Sequence, residues 1–310
     1  MDLGLTTPCS GDDEFIIRVL GSGSAGNCTV VRAGGAACLI DVGLSATRIC
    51  EGAGQMGVAL AHPTRRRDPA RPAGGGAVVR LEAALLTHTH EDHVRDAALR
   101  LLAHNGATLW AHASHLAQLR AMKWFDALYE ARRLQRFTTA PWPLTRSTLV
   151  RPLRLPHDSE HTFGFVFVHR TSSGRTHKFS YLADLGEFEP ALAKEIADSD
   201  VLALEFNHDE EMERCSGRSP ATITRVLSSH GHLSNRQAAA ALAAILRASS
   251  RRLPHHLILL HLSRDCNREE LALRAAREVL AAHSPSTTIL VARQHEPLPP
   301  VNLIGSNGSR

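Results

Sequence analysis

The sequence predicts an α/β chain in which two β-sheets pack face to face with helices on their outer sides. Three observations predict it. Short apolar, β-branched segments come in runs early in each half, and helix-spaced segments follow later in each half. That order suits sheet-on-sheet layering better than a βαβαβ alternation. The composition, 43% hydrophobic and 21% charged over 310 residues, is that of an ordinary globular protein and excludes wholesale disorder or a collagen-like chain. Finally, GSGSAG (21–26) follows a strand and spells G-x-G-x-x-G, but the β-branched NCTVVRA comes next instead of a helix. A dinucleotide fold requires the helix, so these glycines are read as a tight turn between antiparallel strands.

Residues 1–13 read as a loose leader. EFIIRVL (14–20) is an apolar strand, and CTVVRA and AACLID form a hairpin around Gly34-Gly35. Helical spacing covers Leu44 to Cys50. Residues 53–78, with Pro63, Pro69, Pro72 and Gly74–Gly76, are read as a loop insertion, because the β pattern restarts directly afterwards. AALLT (83–87) is a buried strand, Val94 to His104 a helix, TLWA (108–111) a strand and 113–121 a helix.

In the second half TLVRPLRL, FGFVFVH, KFSYLA and VLALEF read as strands. Pro190 to Ile196, Pro220 to Ser228 and Arg236 to Ala248 read as helices. The strand LILLH (257–261), the helix Glu269 to Ala282 and the strand TILVA (288–292) close the pattern. One domain over 14–292 is expected, with flexible tails at 1–13 and 293–310.

No apolar run approaches the roughly 18 residues of a membrane span. The start, MDLGLTTPCSGDDEF, lacks the basic and apolar regions of a secretory signal. The six cysteines form no C-x-x-C pair and no disulfide framework, so a reducing cytoplasm is expected. Net charge is only +4, yet Lys123, Lys178 and Lys194 are the sole lysines, leaving 32 of the 35 basic residues as arginine. Codon bias accounts for such an excess, and so does phosphate recognition, which the guanidinium fork suits.

The strongest chemical signal is THTHEDH (87–93), which places His88, His90, Asp92 and His93 just after an apolar strand. A strand end followed by a tight loop points two imidazoles at one metal, and the next Asp and His then face a neighbouring one. Imidazole and carboxylate donors suit zinc, with manganese or iron as competitors. Three further candidates follow strands. They are His157 in RLPHDSEH, with His161 as a nearby competitor, Asp184 in KFSYLADLG, and His261 in LILLHLS.

With H-x-H-x-D-H and these later residues, the chain resembles the metallo-β-lactamase fold. The resemblance implies a four-layered αββα sandwich and two divalent metal ions at one edge of the sheets. His88, His90 and His157 would hold the first, Asp92, His93 and His261 the second, and Asp184 would bridge them. Asp41 in CLIDVG would stand behind the metal loop and orient it.

SGSAGN, EFNHDEEM (205–212), GHLSN (231–235) and HLSRDCN (261–267) narrow the resemblance to the YycJ/WalJ-like branch. That branch is phosphodiesterase-like and DNA-processing, and is related to RNase Z and the phosphonate-pathway phosphodiesterases. The likeness spans roughly 15–292 and fails in 53–78. It makes Asp92, His208 and His232 the candidate catalytic residues. Ser234 and Asn235 open an apolar helix whose N-terminus suits a phosphate, although capping alone would also explain them.

The expected function is therefore hydrolysis of phosphodiesters in nucleic acid through a metal-bound hydroxide, with no membrane partner. A small cyclic phosphodiester, a thioester or a lactone is the alternative substrate, and a catalytically inactive nucleic-acid-binding module the alternative class. The 76 residues between Asp184 and His261 are too few for a β-CASP-type insert.

Overall fold

The structure, a computed structural model, describes residues 13–64, 78–159 and 161–304. The chain divides into two compact units. Unit 1 comprises Met1–Leu149, His169–Thr176 and Gln294–Arg310, and unit 2 comprises Val150–Val168 and His177–Arg293.

Unit 1 begins with β1 (Phe15–Gly21), whose alternate residues Phe15, Ile17 and Val19 are buried, the period expected of a strand with one face on the core. It pairs antiparallel with β2 (Cys28–Ala33), which pairs antiparallel with β3 (Ala36–Ile40). The two-residue connection has positive φ at both Gly34 (58°) and Gly35 (76°), as tight hairpins demand. After α1 (Ala46–Gly54), capped by the Ser45 hydroxyl, and the short β4 (Val58–Ala59), the sheet turns parallel. β5 (Val79–Leu85) joins β3 and β4. α2 (Asp96–Asn105) leads to β6 (Thr108–His112), and α3 (Leu116–Arg120) and α4 (Phe125–Glu130) lead to β7 (Leu134–Phe137), the last strand on this side. Leu20, Leu39, Ile49, Leu99, Leu102 and Leu109 join sheet and helices in one apolar core. β8 (Trp142–Pro143) ends this stretch.

Unit 2 runs through β9 (Thr148–Leu155), β10 (Thr162–Arg170), β11 (Thr176–Leu182), α5 (Pro190–Ile196), β12 (Val201–Glu205), α6 (Glu210–Arg214), α7 (Pro220–Val226), α8 (Asn235–Ala248), β13 (His256–Leu260), α9 (Glu269–His283) and β14 (Thr288–Val291). Within unit 2 the strand order is β14-β13-β12-β11-β10-β9. Strands β11 to β14 are mutually parallel, with Leu182 opposite Leu204 and Glu205 opposite Leu260. Every residue of β12 is buried, the continuous pattern of a parallel strand covered on both faces. The chain then returns to unit 1 for β15 (Val301–Asn302), antiparallel to β1.

Both units are sheets dressed with helices, so the α/β class stands. No helix among the described residues is long and apolar enough to cross a membrane. Three local expectations need correction. The reading of 53–78 as loop fails at its start, where Ala53 and Gly54 close α1 and Val58–Ala59 forms β4; residues 65–77 lie outside the described set. The tail reading fails over 294–304, because β15 pairs with β1 and Val301 and Leu303 are buried. Asp13 is likewise held, accepting from the Ser172 backbone N–H at 2.7 Å. Residues 1–12 and 305–310 lie outside the described residues. Elements α4 and β7 went unforeseen because both are short and β7 carries polar Gln135 and Arg136 on an edge.

Candidate metal and catalytic centre

In unit 1 the centre forms where β5 ends. His88 and His93 are fully buried, and their rings lie 4.0 Å apart between centroids; His90 packs edge-on against His88 at 4.5 Å. Behind them stands Asp41, also fully buried, at the end of β3. Its carboxylate accepts from the His93 Nδ1–H at 2.7 Å, the Thr87 N–H at 2.9 Å and the Thr87 hydroxyl at 2.9 Å. Burial pushes the Asp41 carboxyl above the usual carboxylate range, while His93 and Thr87 pull the other way. The consequence is a fixed tautomer: with Nδ1 donating to Asp41, His93 presents the Nε2 lone pair.

The glycine loop after β1 belongs to the same construction. Asn27 donates from its backbone to the Asp92 carbonyl at 2.7 Å, and its Nδ2 lies 3.0 Å from His93 Nε2 and 3.2 Å from Asp92 Oδ2. Gln294 ties the loop down through Ala25 N–H and the Gly26 carbonyl, each at 2.8 Å. Gly43 sits so close to the histidine loop that a β-carbon would fall 1.7 Å from the Asp92 carbonyl oxygen. Sequence reasoning missed Thr87 and Gln294. A threonine beside a histidine and a glutamine in a predicted tail carry no local signal.

In unit 2 the C-terminal ends of parallel strands converge. Asp184 follows β11, Glu205 ends β12 and His261 follows β13; with His232 from the loop before α8, their donor atoms all lie within 4.8 Å of one another. His232 Nδ1 donates to Glu205 Oε1 at 2.7 Å and lies 3.4 Å from Asp184 Oδ1, while His261 Nδ1 lies 3.5 Å from both carboxylates. Burial pushes the Glu205 carboxyl up, but the charge and hydrogen bond of His232, aided by His261, prevail and hold it below the usual carboxylate range. His157 donates from Nδ1 to the Gly231 carbonyl at 2.8 Å and packs against His232 at 5.0 Å between ring centroids. Burial lowers its pKa, with Asp184 opposing. A cleft of about 400 Å³ opens beside it, lined by Arg154, Pro156, His157, Ser159, Glu189 and His230.

Glu205 is the important residue that sequence reasoning missed. Its signal was a lone charge closing the strand VLALE, between two strands that also end in candidate ligands. His161, the competitor of His157, stacks on Phe163 at 6.4 Å instead. His208 is fully buried, and neither ring nitrogen has a hydrogen-bond partner among the described residues. Ser234 caps α8 in a reciprocal box with Gln237 and donates to Glu210 Oε1 at 2.9 Å; Asn235 bonds Asn267 at 2.8 Å. Ser234 is thus the helix cap with its hydroxyl on a carboxylate, while Asn235 is engaged with Asn267.

The donors fit divalent metal ions. In each unit a histidine is anchored through Nδ1 by a carboxylate or carbonyl, so that Nε2 is the nitrogen a metal would use, the usual outer arrangement around zinc; the Nε2 of His157 lies 3.0 Å from Asp158 Oδ1. Imidazole and carboxylate together suit zinc and also manganese or iron.

The comparisons with known proteins agree. Residues 38–261 match the β-lactamase superfamily domain. Exodeoxyribonuclease WalJ of Streptococcus pneumoniae serotype 2 is 25% identical over 258 residues, covering 83% of this chain and 85% of the relative. Exodeoxyribonuclease YycJ of Bacillus anthracis is 31% identical over 132 residues, 42% of this chain and 46% of the relative. Among solved structures, the metallo-β-lactamase fold protein YhfI from Bacillus subtilis aligns with a TM-score of 0.60 at 15% identity, covering 92% of this chain and 99% of that one. The match over most of its length and the shared fold establish that the chain belongs to the β-lactamase superfamily domain family.

Proposed function

We propose that the protein is a dinuclear metal-dependent phosphodiesterase that removes nucleotides from DNA. The observation that carries the reading is the Glu205–His232 pair at 2.7 Å, Glu205 buried and His232 partly exposed, beside Asp184 and His261, which sets a proton donor next to candidate metal ligands. The exodeoxyribonuclease relatives support DNA as the polymer.

On this reading His88, His90 and His157 would hold one ion and Asp92, His93 and His261 the other, with Asp184 able to serve both and zinc the first choice. When bound, such ions supply Lewis acidity toward phosphoryl oxygens and a nucleophile at neutral pH. The protein groups do the rest. Glu205 fixes His232 through Nδ1, so the acidic proton sits on Nε2 and passes to the leaving oxygen as the P–O bond breaks. Asp41 and Thr87 hold His93 in its ligating tautomer. Arg154 and His230, in the cleft beside His157, are placed to take the negative charge of the phosphate.

The test compares 5′-labelled single- and double-stranded DNA and RNA, with Zn or Mn, against bis(p-nitrophenyl) phosphate, a thioester and a cephalosporin. Stepwise shortening of DNA and hydrolysis of the nitrophenyl diester are expected. Turnover of the thioester or cephalosporin alone would move the protein to another hydrolase class, and no turnover of any substrate would make it a binding module.

A further inference from the structure

Unit 1 carries a second cavity, at the edge of its sheet, that the reaction described above does not use. It encloses about 670 Å³, within the range of small-ligand sites, and is lined by α3, α4 and β7 through Arg120, Phe125, Tyr129, Arg132 and Arg136, with Glu130 as the one acidic group. Its character is unusual for an exposed surface. Tyr129 is 62% exposed, the highest value among the exposed large hydrophobic residues described, and its ring stacks on the buried Phe125 at 5.9 Å and 18°. The three arginines are exposed, and none makes an ion pair among the described residues. From residue 116 to 137 five basic side chains face two acidic ones. Arg132 also holds a left-handed φ of 53° between α4 and β7, a conformation a bulky residue rarely adopts.

A rigid, exposed aromatic face ringed by unpaired guanidinium groups is the chemistry that binds single-stranded nucleic acid: the base stacks and the arginines take the phosphates. We infer that this cavity is an accessory docking site for a single strand of DNA, separate from the candidate metal centre. The inference rests on the nucleic-acid reading of the function. Strand β7 is the outermost of a run in which β5 delivers the histidine loop, two strands away, so a strand held here would stay tethered to the unit that carries that loop. The arginine excess noted in the sequence then has a use in place. The competing explanation is that Arg132, Arg133 and Arg136 merely guard the sheet edge against pairing with another copy.

The experiment is fluorescence anisotropy of a labelled phosphorothioate oligothymidylate, which resists cutting, with the metal-loaded protein at several salt concentrations. Tyr129→Ala should weaken binding by about 5- to 150-fold, the range for loss of one stacked base, while Tyr129→Phe should retain it. The double variant Arg120→Gln/Arg136→Gln should flatten the plot of log affinity against log salt by about 1.4, two phosphates at roughly 0.7 each. Hydrolysis of bis(p-nitrophenyl) phosphate should stay within about twofold of wild type in every variant. Binding and salt slope unchanged in these variants would overturn the site, as would a wild-type protein that does not bind the strand or a loss reproduced by Tyr129→Phe. If the wild type cuts DNA but its binding ignores these substitutions, the site fails and the nuclease reading stands. If binding responds as described but no substrate is cut, the site stands and the nuclease reading fails.

Discussion

Asp41 in unit 1 and Asp184 in unit 2 occupy the same kind of corner. Each follows a buried strand, each takes a left-handed φ (59° and 57°), and each stands two residues before a glycine with no room for a β-carbon. The two corners read alike in the sequence, as IDVG and ADLG. They differ in what meets the carboxylate. Asp41 receives two donors from Thr87 and one from His93 at 2.7–2.9 Å. Asp184 has His232 and His261 at 3.4 and 3.5 Å, longer than a strong charge-assisted hydrogen bond. One corner therefore makes a brace and the other, on the proposed reading, a ligand. The same backbone device closes both strands, a left-handed residue that costs roughly 1–3 kcal/mol which the surrounding packing must cover. His261 uses it too, with φ 54°.

The comparison sharpens first at His232, the residue the ligand corner shares with Glu205. His232→Ala should keep metal content but slow DNA hydrolysis by about 10²–10⁴-fold, the usual range for a general acid. The defect should shrink for bis(p-nitrophenyl) phosphate, whose leaving group needs little protonation. Equal defects on both substrates, read in steady-state kinetics, would assign His232 to binding.

A smaller effect is expected at the brace. Asp41→Ala leaves the His93 and Thr87 donors buried without their acceptor, a destabilisation of about 1–3 kcal/mol for each group left unpaired. Metal affinity should fall about 10–100-fold, the range for an outer partner of a ligand, with both ions still loading at saturation. Calorimetric metal titration checks this, and a complete loss of one ion at saturation would make Asp41 a ligand. The smallest effect belongs to Ser234→Ala, which removes a helix cap worth about 1 kcal/mol and should leave KM for a phosphodiester unchanged. A raised KM with unchanged thermal stability would restore the phosphate role.

How much of this was legible follows from how local each device is. The motif from His88 to His93 occupies one loop, so its spacing was visible directly, and Asp41, His157, Asp184 and His261 each announced themselves at the end of an apolar strand. Glu205 was hidden because its role depends on the parallel register that sets β12 between β11 and β13, a pairing no single segment encodes. Gln294 was misjudged for a related reason. Its neighbours are prolines and polar residues, yet it reaches across 268 positions to cap the glycine loop. Ser234 and Asn235 were correctly placed at a helix start, but only the partner Glu210 reveals that the helix end is already occupied by a carboxylate.

The proposed centre would hold two ions, with Asp184 serving both. Elemental analysis of the purified chain after saturation with zinc or manganese and removal of excess tests it most directly, with Asp184→Ala measured beside it. Two ions per wild-type chain, loss of bound metal in the variant, and DNA hydrolysis that disappears on chelation and returns with metal are expected. At most one ion in the wild type, or full occupancy in Asp184→Ala, would contradict it.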